Sequence, residues 1–482
     1  MESDVAIGVD LGTAGVRALA VDGAGDVLAV HREAFPPSSV QDRRHEQDAE
    51  SWWATGCQAM AGVVAKLADA GIGPDRLAAV AVDGTSGTIV LLDGNGDPLG
   101  PGLMYNDGRS TAEAEALNEL AETFCNRHGY RFAASFAIAK IEWLRRHEAT
   151  LFASTKYIAH QADFIAGRLI EKLGVSDYSN ALKTGYDLLD EKWPDWIDEL
   201  PGVRERLPTV TAPGSRLGEV TATASAATGL PAGLPVIAGA SDGTAGCIAS
   251  GISQAGDCSS TLGTTLVFKT LSANLAKDPD GLIYSHKLPG GLWLPGAASN
   301  VGCEWIGSWF TDDDPSALDV TARDLLPVDI PCYPLARTGE RFPFLAAAAV
   351  AAGVPDHTDP VTRYAACLQG TACVERLAFE VLDSVTGESG TAVYTTGGGS
   401  RSDIWTQLRA DITGRTYHRP QCAESAFGSA ILAAAGATSR SVQQTTAQLV
   451  KIERSFEPDA GDLYEGLFED FRSLLHGQGY LC

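Results

Sequence analysis

The 482-residue chain lacks any run of about 18 apolar residues, the least that a membrane-spanning helix needs. Positive charge is scarce too. The 36 Lys and Arg stand against 61 Asp and Glu, a formal net charge of −25. That excludes the basic footprint of a nucleic-acid surface and attraction to an anionic membrane, so neither partner is expected. An anionic ligand stays possible if local amides, a metal or a few basic groups hold it. The 10 cysteines (57, 125, 247, 258, 303, 332, 367, 373, 422 and 482) form no CxxC pair and no His–Cys cluster with zinc spacing. They read as reduced thiols. The first four residues are acidic, with no basic segment followed by an apolar stretch, so a soluble cytoplasmic protein is expected.

Several signatures are missing as well. GxxxxGK[ST] does not occur, which excludes a P-loop protein. Gly94, Gly96 and Gly100 have the wrong spacing for GxGxxG, and HExxH is absent. One GxSxG runs from Gly239 to Gly243 and would make Ser241 a hydrolase nucleophile. That reading leaves three other stretches without a purpose.

What is present is 45% hydrophobic residues in a length that calls for two large domains. Apolar runs predict strands over 5–10, 16–21, 77–82, 88–92, 236–239, 264–269 and 392–395. Helical patterns fall at 49–70, 111–127, 135–147, 402–413 and 428–437. Interleaved strands and helices argue for an α/β fold. Trp193-Pro194 and the Pro- and Gly-rich segment 208–235 read as the end of one domain and the approach to another, with a boundary near 240. "GVDLGTAGVRAL" near the start is echoed by "SSTLGTTLVFKT" at 259–270, as if two domains shared one ancestral plan and each presented a turn to a common cleft.

Four stretches carry candidate chemistry. Asp10-Leu11-Gly12-Thr13 is either a polar hairpin tip or a phosphate clamp, with turn amides for phosphate oxygens and a carboxylate for Mg²⁺. Arg17 would add a positive charge to such a clamp. Asp242 follows a predicted strand end beside small residues, where α/β sheets bind ligands. It is either a helix N-cap or a base for a substrate hydroxyl. The hydroxyl-rich stretch 259–265 is either another hairpin tip or a polyphosphate wrap. At 397–399 three glycines lead into a helix carrying Trp405, which reads as a flexible turn or a place for a flat nucleotide.

In this order the stretches resemble the FGGY family of carbohydrate kinases, and the likeness covers nearly the whole chain. "HEQD" at 45–48, "MYNDGRS" at 104–110, "SDGTAG" at 241–246, "TLGTT" at 261–265, "GERFPF" at 339–344 and "ESAFGSAILAAAG" at 424–436 each match a family pattern. Tyr105 stands where Trp is usual, and Ala14 where some relatives carry a hydroxyl. "HQADF" (160–164) and "LGVSDYSNALKTGYD" (173–187) look most like the cyanobacterial and plant-type D-ribulose kinases, also described as xylulose-kinase-like. "DGTSGT" at 83–88 replaces the Gly-Gln-Met-His-Gly of bacterial xylulose kinases, with Ser86 where a larger polar group is usual.

The resemblance implies a two-domain actin/hexokinase-like (ribonuclease H-like) ATPase fold with an interdomain cleft. Residues 1–240 would form the sugar-binding domain and 241–482 the nucleotide-binding domain. It implies a small-molecule sugar and ATP as partners, Mg²⁺ as cofactor, and a monomer or homodimer. Asp242 would act as base, with Asp10 on Mg²⁺ through water and Arg17 neutralising developing charge. Gly12 and Thr13 would hold the transferring phosphoryl group and Gly263 and Thr264 the other phosphates. Gly302, Gly398, Gly399, Ser402 and Trp405 would line the nucleotide. Ser86, Asp83, Thr85, Asp107 and Asp242 would meet the sugar, although Asp107 and Arg109 also read as a structural pair. His160 reads as packed and Asp163 as a fold-fixing residue. The implied activity is phosphorylation of the terminal hydroxyl of a pentulose, foremost D-ribulose, with D-xylulose or another ketose or polyol as alternatives. An ATP-binding sugar sensor is the alternative of another class; the joint presence of Asp10, Thr13 and Asp242 argues against it.

Overall fold

The computed structural model describes residues 4–278, 281–311, 313–355 and 359–481; Cys482 lies outside them. Two sheets organise the chain. The first contains β1 (Val5–Leu11), β2 (Gly15–Asp22), β3 (Val27–Ala34), β4 (Leu77–Gly84), β5 (Arg216–Glu219) and β6 (Pro235–Ile237), in the order β5-β6-β4-β1-β2-β3. β1 is nearly all apolar because helices cover both faces of the sheet, as expected of a central strand in α/β layers. The second contains β7 (Cys258–Leu262), β8 (Leu266–Thr270), β9 (Tyr284–Lys287), β10 (Trp293–Ser299), β11 (Ala392–Thr396), β12 (Thr416–Pro420) and β13 (Ile452–Phe456), in the order β9-β10-β8-β7-β11-β12-β13.

The echoed motif marks a repeated topology. β1 runs antiparallel to β2 and parallel to β4, which is parallel to β6. β7 likewise runs antiparallel to β8 and parallel to β11, which is parallel to β12. In each sheet the Leu-Gly-Thr turn closes the first hairpin. The carboxyl ends of β1, β4, β7 and β11 therefore carry the candidate stretches, the side on which open α/β sheets hold ligands.

Six helices position the site: α1 (Ala49–Asp69), α2 (Gln161–Ile170), α3 (Asp242–Ser250), α4 (Pro360–Thr386), α5 (Asp403–Thr413) and α6 (Ser425–Thr438). Asp48 caps α1 by accepting from Glu50 N, and Trp52, Met60 and Val63 bury one face of that helix against the first sheet. α6 lies in sequence between β12 and β13 of the second sheet, yet it packs on β1, β4 and α3. Ala6, Ala81, Ile248, Ala430 and Ile431 share one buried cluster there, so a continuous apolar joint connects the two halves.

Several sequence expectations shift. The predicted helix 111–127 is two helices, Thr111–Leu120 and Glu122–His128. The predicted strand 264–269 starts only at Leu266, because Thr264 and Thr265 belong to the turn. Segment 208–235 carries structure of its own, edge strand β5 and the helix Ala222–Thr228. The 27-residue α4 goes unpredicted, since its buried residues include Cys367, Leu368, Gln369, Gly370 and Thr371 in succession and leave no amphipathic stripe to read. Its ends were readable: Asp359 accepts from Val361 N and Thr362 N, Pro360 opens the helix and Gly387 closes it with φ 72°.

Candidate active site

Each echoed turn is closed by its own glycine amide, over four residues (12–15) in the first and three (263–265) in the second. Gly12 N donates to Gly15 O at 3.0 Å, and Gly263 N to Thr265 O at 3.0 Å. Gln47 Nε2 braces the first turn by donating to Thr13 O at 2.8 Å, and Trp52 Nε1 in turn holds Gln47 at 2.8 Å. Neither Gly12 nor Gly263 has a positive φ. A Cβ on Gly12 would come no closer than 3.7 Å to its surroundings, and one on Gly263 no closer than 3.8 Å. The protein itself does not demand glycine at either position; open space over the turn suits a ligand that approaches the backbone. Gly263→Ala should therefore leave thermal stability within about 0.5 kcal/mol of wild type and lower kcat/KM for ATP about 10²-fold. Calorimetric melts and initial rates check this, and unchanged kinetics would remove the turn from the site.

Asp10 closes β1, and its side chain is 14% exposed. Arg17 Nη1 lies 3.6 Å from Asp10 Oδ2, but its Nε is 2.9 Å from Glu424, which also binds Arg32 at 2.7 Å. Arg17 thus shares its charge with two carboxylates. Burial, reinforced by the charge of Asp242, raises the Asp10 pKa above the ordinary carboxylate range. Asp83 is the register partner of Asp10 on β4 and has no exposed surface. Its Oδ2 accepts from Ser429 on α6 at 2.5 Å, and burial pushes its pKa strongly upward. Among the described residues no trio of His, Cys, Asp or Glu forms a metal ligand set. Asp10, which shares a side-chain hydrogen bond with Asp83, would fit Mg²⁺ held mainly through water and phosphate oxygens, the coordination this ion favours.

Loop 84–88 follows β4 and is pinned almost everywhere. Thr85 N and Oγ1 both donate to Gln161 Oε1, at 3.0 and 2.7 Å, while Tyr105 N donates to Thr88 Oγ1 at 2.9 Å. Lys183 Nζ donates to Ser86 O at 3.1 Å, and the fully buried Lys140 Nζ to Gly87 O at 3.1 Å. Ser86 Oγ alone in this loop is buried without a partner, an atom that awaits a ligand.

Asp242 lies beside that loop, because Ser241 bridges to Gly84 at the end of β4. It occupies the first turn of α3, with Ser241 at the N-cap position, so it is not itself the cap. Its Oδ1 accepts from Gly243 N at 2.7 Å. Burial raises its pKa, opposed by the Gly243 amide, by Lys183 and Lys269, and by the Ser86 amide. Ser241 is 1% exposed, and its hydroxyl is tied to Ser179 at 3.0 Å and Thr244 at 3.0 Å. With its hydroxyl spent on two other hydroxyls and no surface to present, it is not a hydrolase nucleophile.

A cavity of about 720 Å³ opens on the other side of the second turn. Gly263, Thr264, Gly307, Gly398, Gly399 and Arg401 contribute to its wall. That volume suits a nucleotide-sized ligand. Cβ positions on Gly307 and Gly398 would meet nothing within 4 Å, so backbone faces the cavity freely at both. Ser402 spends its hydroxyl capping α5, accepting from Trp405 N at 3.0 Å.

Other sequence-named residues sit elsewhere than expected. Asp83 is sealed behind Asp10 and has no surface for a sugar. Thr85 is 3% exposed and consumed by Gln161. Asp107 is 1% exposed, with Arg109 Nη2 at 2.9 Å and His45 N at 2.8 Å on the same oxygen. Its role is structural pairing, not sugar contact. Trp405 does line the cavity, but from beneath: it is 1% exposed and donates Nε1 to Leu368 O at 3.2 Å. Gly302 presses on the second turn: a Cβ there would lie 2.4 Å from Thr264 O. His160 is packed as expected, bound to Asp163 at 2.6 Å and to Thr184 at 2.8 Å. Sequence reasoning missed Lys183, Lys269, Gln161 and Ser429. All four lay inside quoted stretches (Gln161 in 160–164, Lys183 in 173–187, Lys269 in 259–270 and Ser429 in 424–436), but only folding joins their side chains to the site.

The comparisons agree with this geometry. Residues 5–249 match the model for the FGGY family of carbohydrate kinases, N-terminal domain, and residues 258–437 the one for its C-terminal domain. The chain is 28% identical over 484 residues to the xylulose kinase of Escherichia coli strain K12, spanning 97% of this chain and 98% of that one. It is 28% identical over 506 residues to an autoinducer-2 kinase from another Escherichia coli strain, spanning 98% and 94%. The crystal structure of xylulose kinase from Rhodospirillum rubrum superposes with a TM-score of 0.87 at 27% identity, over 98% of this chain and 99% of that one. Two glycine turns at the first hairpins of twin sheets, a half-buried aspartate at the start of α3 and family matches over both halves lead to one conclusion: this chain belongs to the FGGY family of carbohydrate kinases.

Proposed function

We propose that the protein is an ATP-dependent pentulose kinase that phosphorylates the terminal hydroxyl of D-ribulose. The observation that carries the kinase part is Asp242, a half-buried carboxylate beside the Ser86 loop whose hydroxyl has no partner. In this reading residues 1–240 bind the sugar and 241–482 the nucleotide. The acceptor hydroxyl donates to Asp242 and attacks the γ-phosphorus, and ADP leaves from the cavity beside Gly263 and Gly398. Asp10 would hold Mg²⁺, whose charge would offset that of the phosphates. Thr13 and the amides of the two turns orient the phosphates, so the chain contributes alignment and charge balance, the main needs of phosphoryl transfer.

The sugar assignment rests on Ser86, which leaves more room than a large polar side chain, and on the 160–187 region. That region is built as a unit: Asp177 accepts from Ser179 N and Asn180 N, and Ser179 Oγ reaches Ser241 beside the base. D-xylulose is the second reading, favoured by the named relatives. Coupled ADP-release assays across D-ribulose, D-xylulose, glycerol and other polyols test both. D-Ribulose should give the highest kcat/KM, by about tenfold or more. A higher value for D-xylulose would replace the substrate assignment, and no stimulation by any sugar would remove the kinase reading.

A further inference from the structure

We propose that Lys269 is a catalytic residue that contacts the transferring phosphoryl group, the part the sequence assigns to Arg17; this rests on the kinase reading above. Lys269 lies on β8, the strand that leaves the second turn, four residues beyond Thr265. Its side chain passes over Gly296, where a Cβ would fall 2.7 Å from Lys269 Cγ, and ends at Gly243, where a Cβ would fall 3.4 Å from Nζ. There Nζ donates to Gly243 O at 3.0 Å, one residue from the base. Two glycines thus leave a track for this one side chain to reach Asp242 from the second sheet.

Its charge is also available. Among the described residues Lys269 forms no ion pair, whereas Arg17 lies against both Asp10 and Glu424. An ammonium has three donors; one is spent on Gly243 O, and two remain. Lys183 approaches from the first half, held on Ser86 O at 3.1 Å, and both lysines act on Asp242 and on the buried His286. The two lysines are thus anchored on the backbone of the Ser86 loop and of Gly243, the residue after the base. In the transfer, the acceptor oxygen bonds to the γ-phosphorus, the bond to the β–γ bridging oxygen breaks, and the hydroxyl proton passes to Asp242. Lys269 keeps its protons and donates to the equatorial oxygens of the group in flight. Lys183 acts as a positioning residue through the Ser86 loop.

The test compares binding of ADP with binding of ADP plus fluoroaluminate, a planar mimic of the transferring group, in the presence of Mg²⁺. Wild type, Lys269→Ala and Lys269→Met are measured by calorimetry; Lys269→Met keeps the aliphatic stem if the alanine variant fails to fold. Both variants should lose about 10²-fold in the tightening that fluoroaluminate adds while binding ADP alone as wild type does. With the preferred sugar, kcat should fall by about the same factor at little-changed KM, and methylamine should restore part of it in Lys269→Ala. Full tightening in the variants, or an equal loss for ADP alone, overturns the Lys269 assignment. A wild type that binds no ADP and releases none with any sugar overturns the kinase reading instead.

Discussion

Asp242→Asn lowers kcat for sugar-dependent ADP release by about 10²–10⁴-fold while ADP still binds. The asparagine keeps the size of the side chain and can still accept from Gly243 N, but it cannot take the hydroxyl proton. The pH profile carries a second signature. Burial raises the Asp242 pKa above the usual 3.8, and the base works ionised. The acid limb of kcat/KM in the wild type should therefore lie above the ordinary carboxylate range, and it should vanish in the residual activity of the variant. Stability moves the other way. A carboxyl group whose pKa is raised by folding lends stability at low pH that is lost as pH rises through the folded-state value. At neutral pH the charged Asp242 is thus a strain on the folded state, and Asp242→Asn should melt at a higher temperature than wild type, as expected where a site trades stability for activity. Wild-type turnover by the variant would remove Asp242 from the chemistry.

Arg409→Met destabilises the protein by about 3–5 kcal/mol, because breaking a buried pair strands the remaining charge. Arg409 and Glu375 are both fully buried. Arg409 Nε donates to Glu375 Oε2 at 2.6 Å and Nη2 to Oε1 at 2.8 Å. Further bonds reach Ser260 on β7 at 2.8 Å and Thr395 on β11 at 2.9 Å. The network ties α4 and α5 to the two strands whose ends present the second turn and the Gly397–399 segment. Arg409→Met/Glu375→Leu should recover most of the loss, since replacing a whole buried pair with apolar groups is often neutral. Denaturant midpoints measure both variants. An unchanged midpoint in Arg409→Met would show that the pair contributes nothing to holding the strands.

Local chemistry made much of this protein readable before folding. β1 announced itself by an apolar run ending at Asp10, and the Leu-Gly-Thr echo pointed to the repeated topology that the two sheets display. The glycine turns are legible too; the backbone at Gly12 and Gly263 is ordinary, and only the open space above them asks for glycine. α4 was lost because a helix buried on most sides carries no periodic signal.

Burial separated the true candidates from their neighbours in sequence. Asp83, Thr85 and Ser86 are adjacent and equally polar on paper. Folding seals Asp83 behind Asp10, spends Thr85 on Gln161 and leaves Ser86 Oγ unpaired. Trp405 and Asp107 were drawn inward in the same way. Sequence by itself determined the family, the strand–turn–strand units and the aspartates at their ends, because those depend on residues close together in the chain. Tertiary structure decided which of these side chains keeps a free hydrogen-bonding atom or an unpaired charge. Lys183, Lys269 and Ser429 reach Ser86, Gly243 and Asp83 from 97, 26 and 346 residues away, and no local pattern encodes a contact made across that distance.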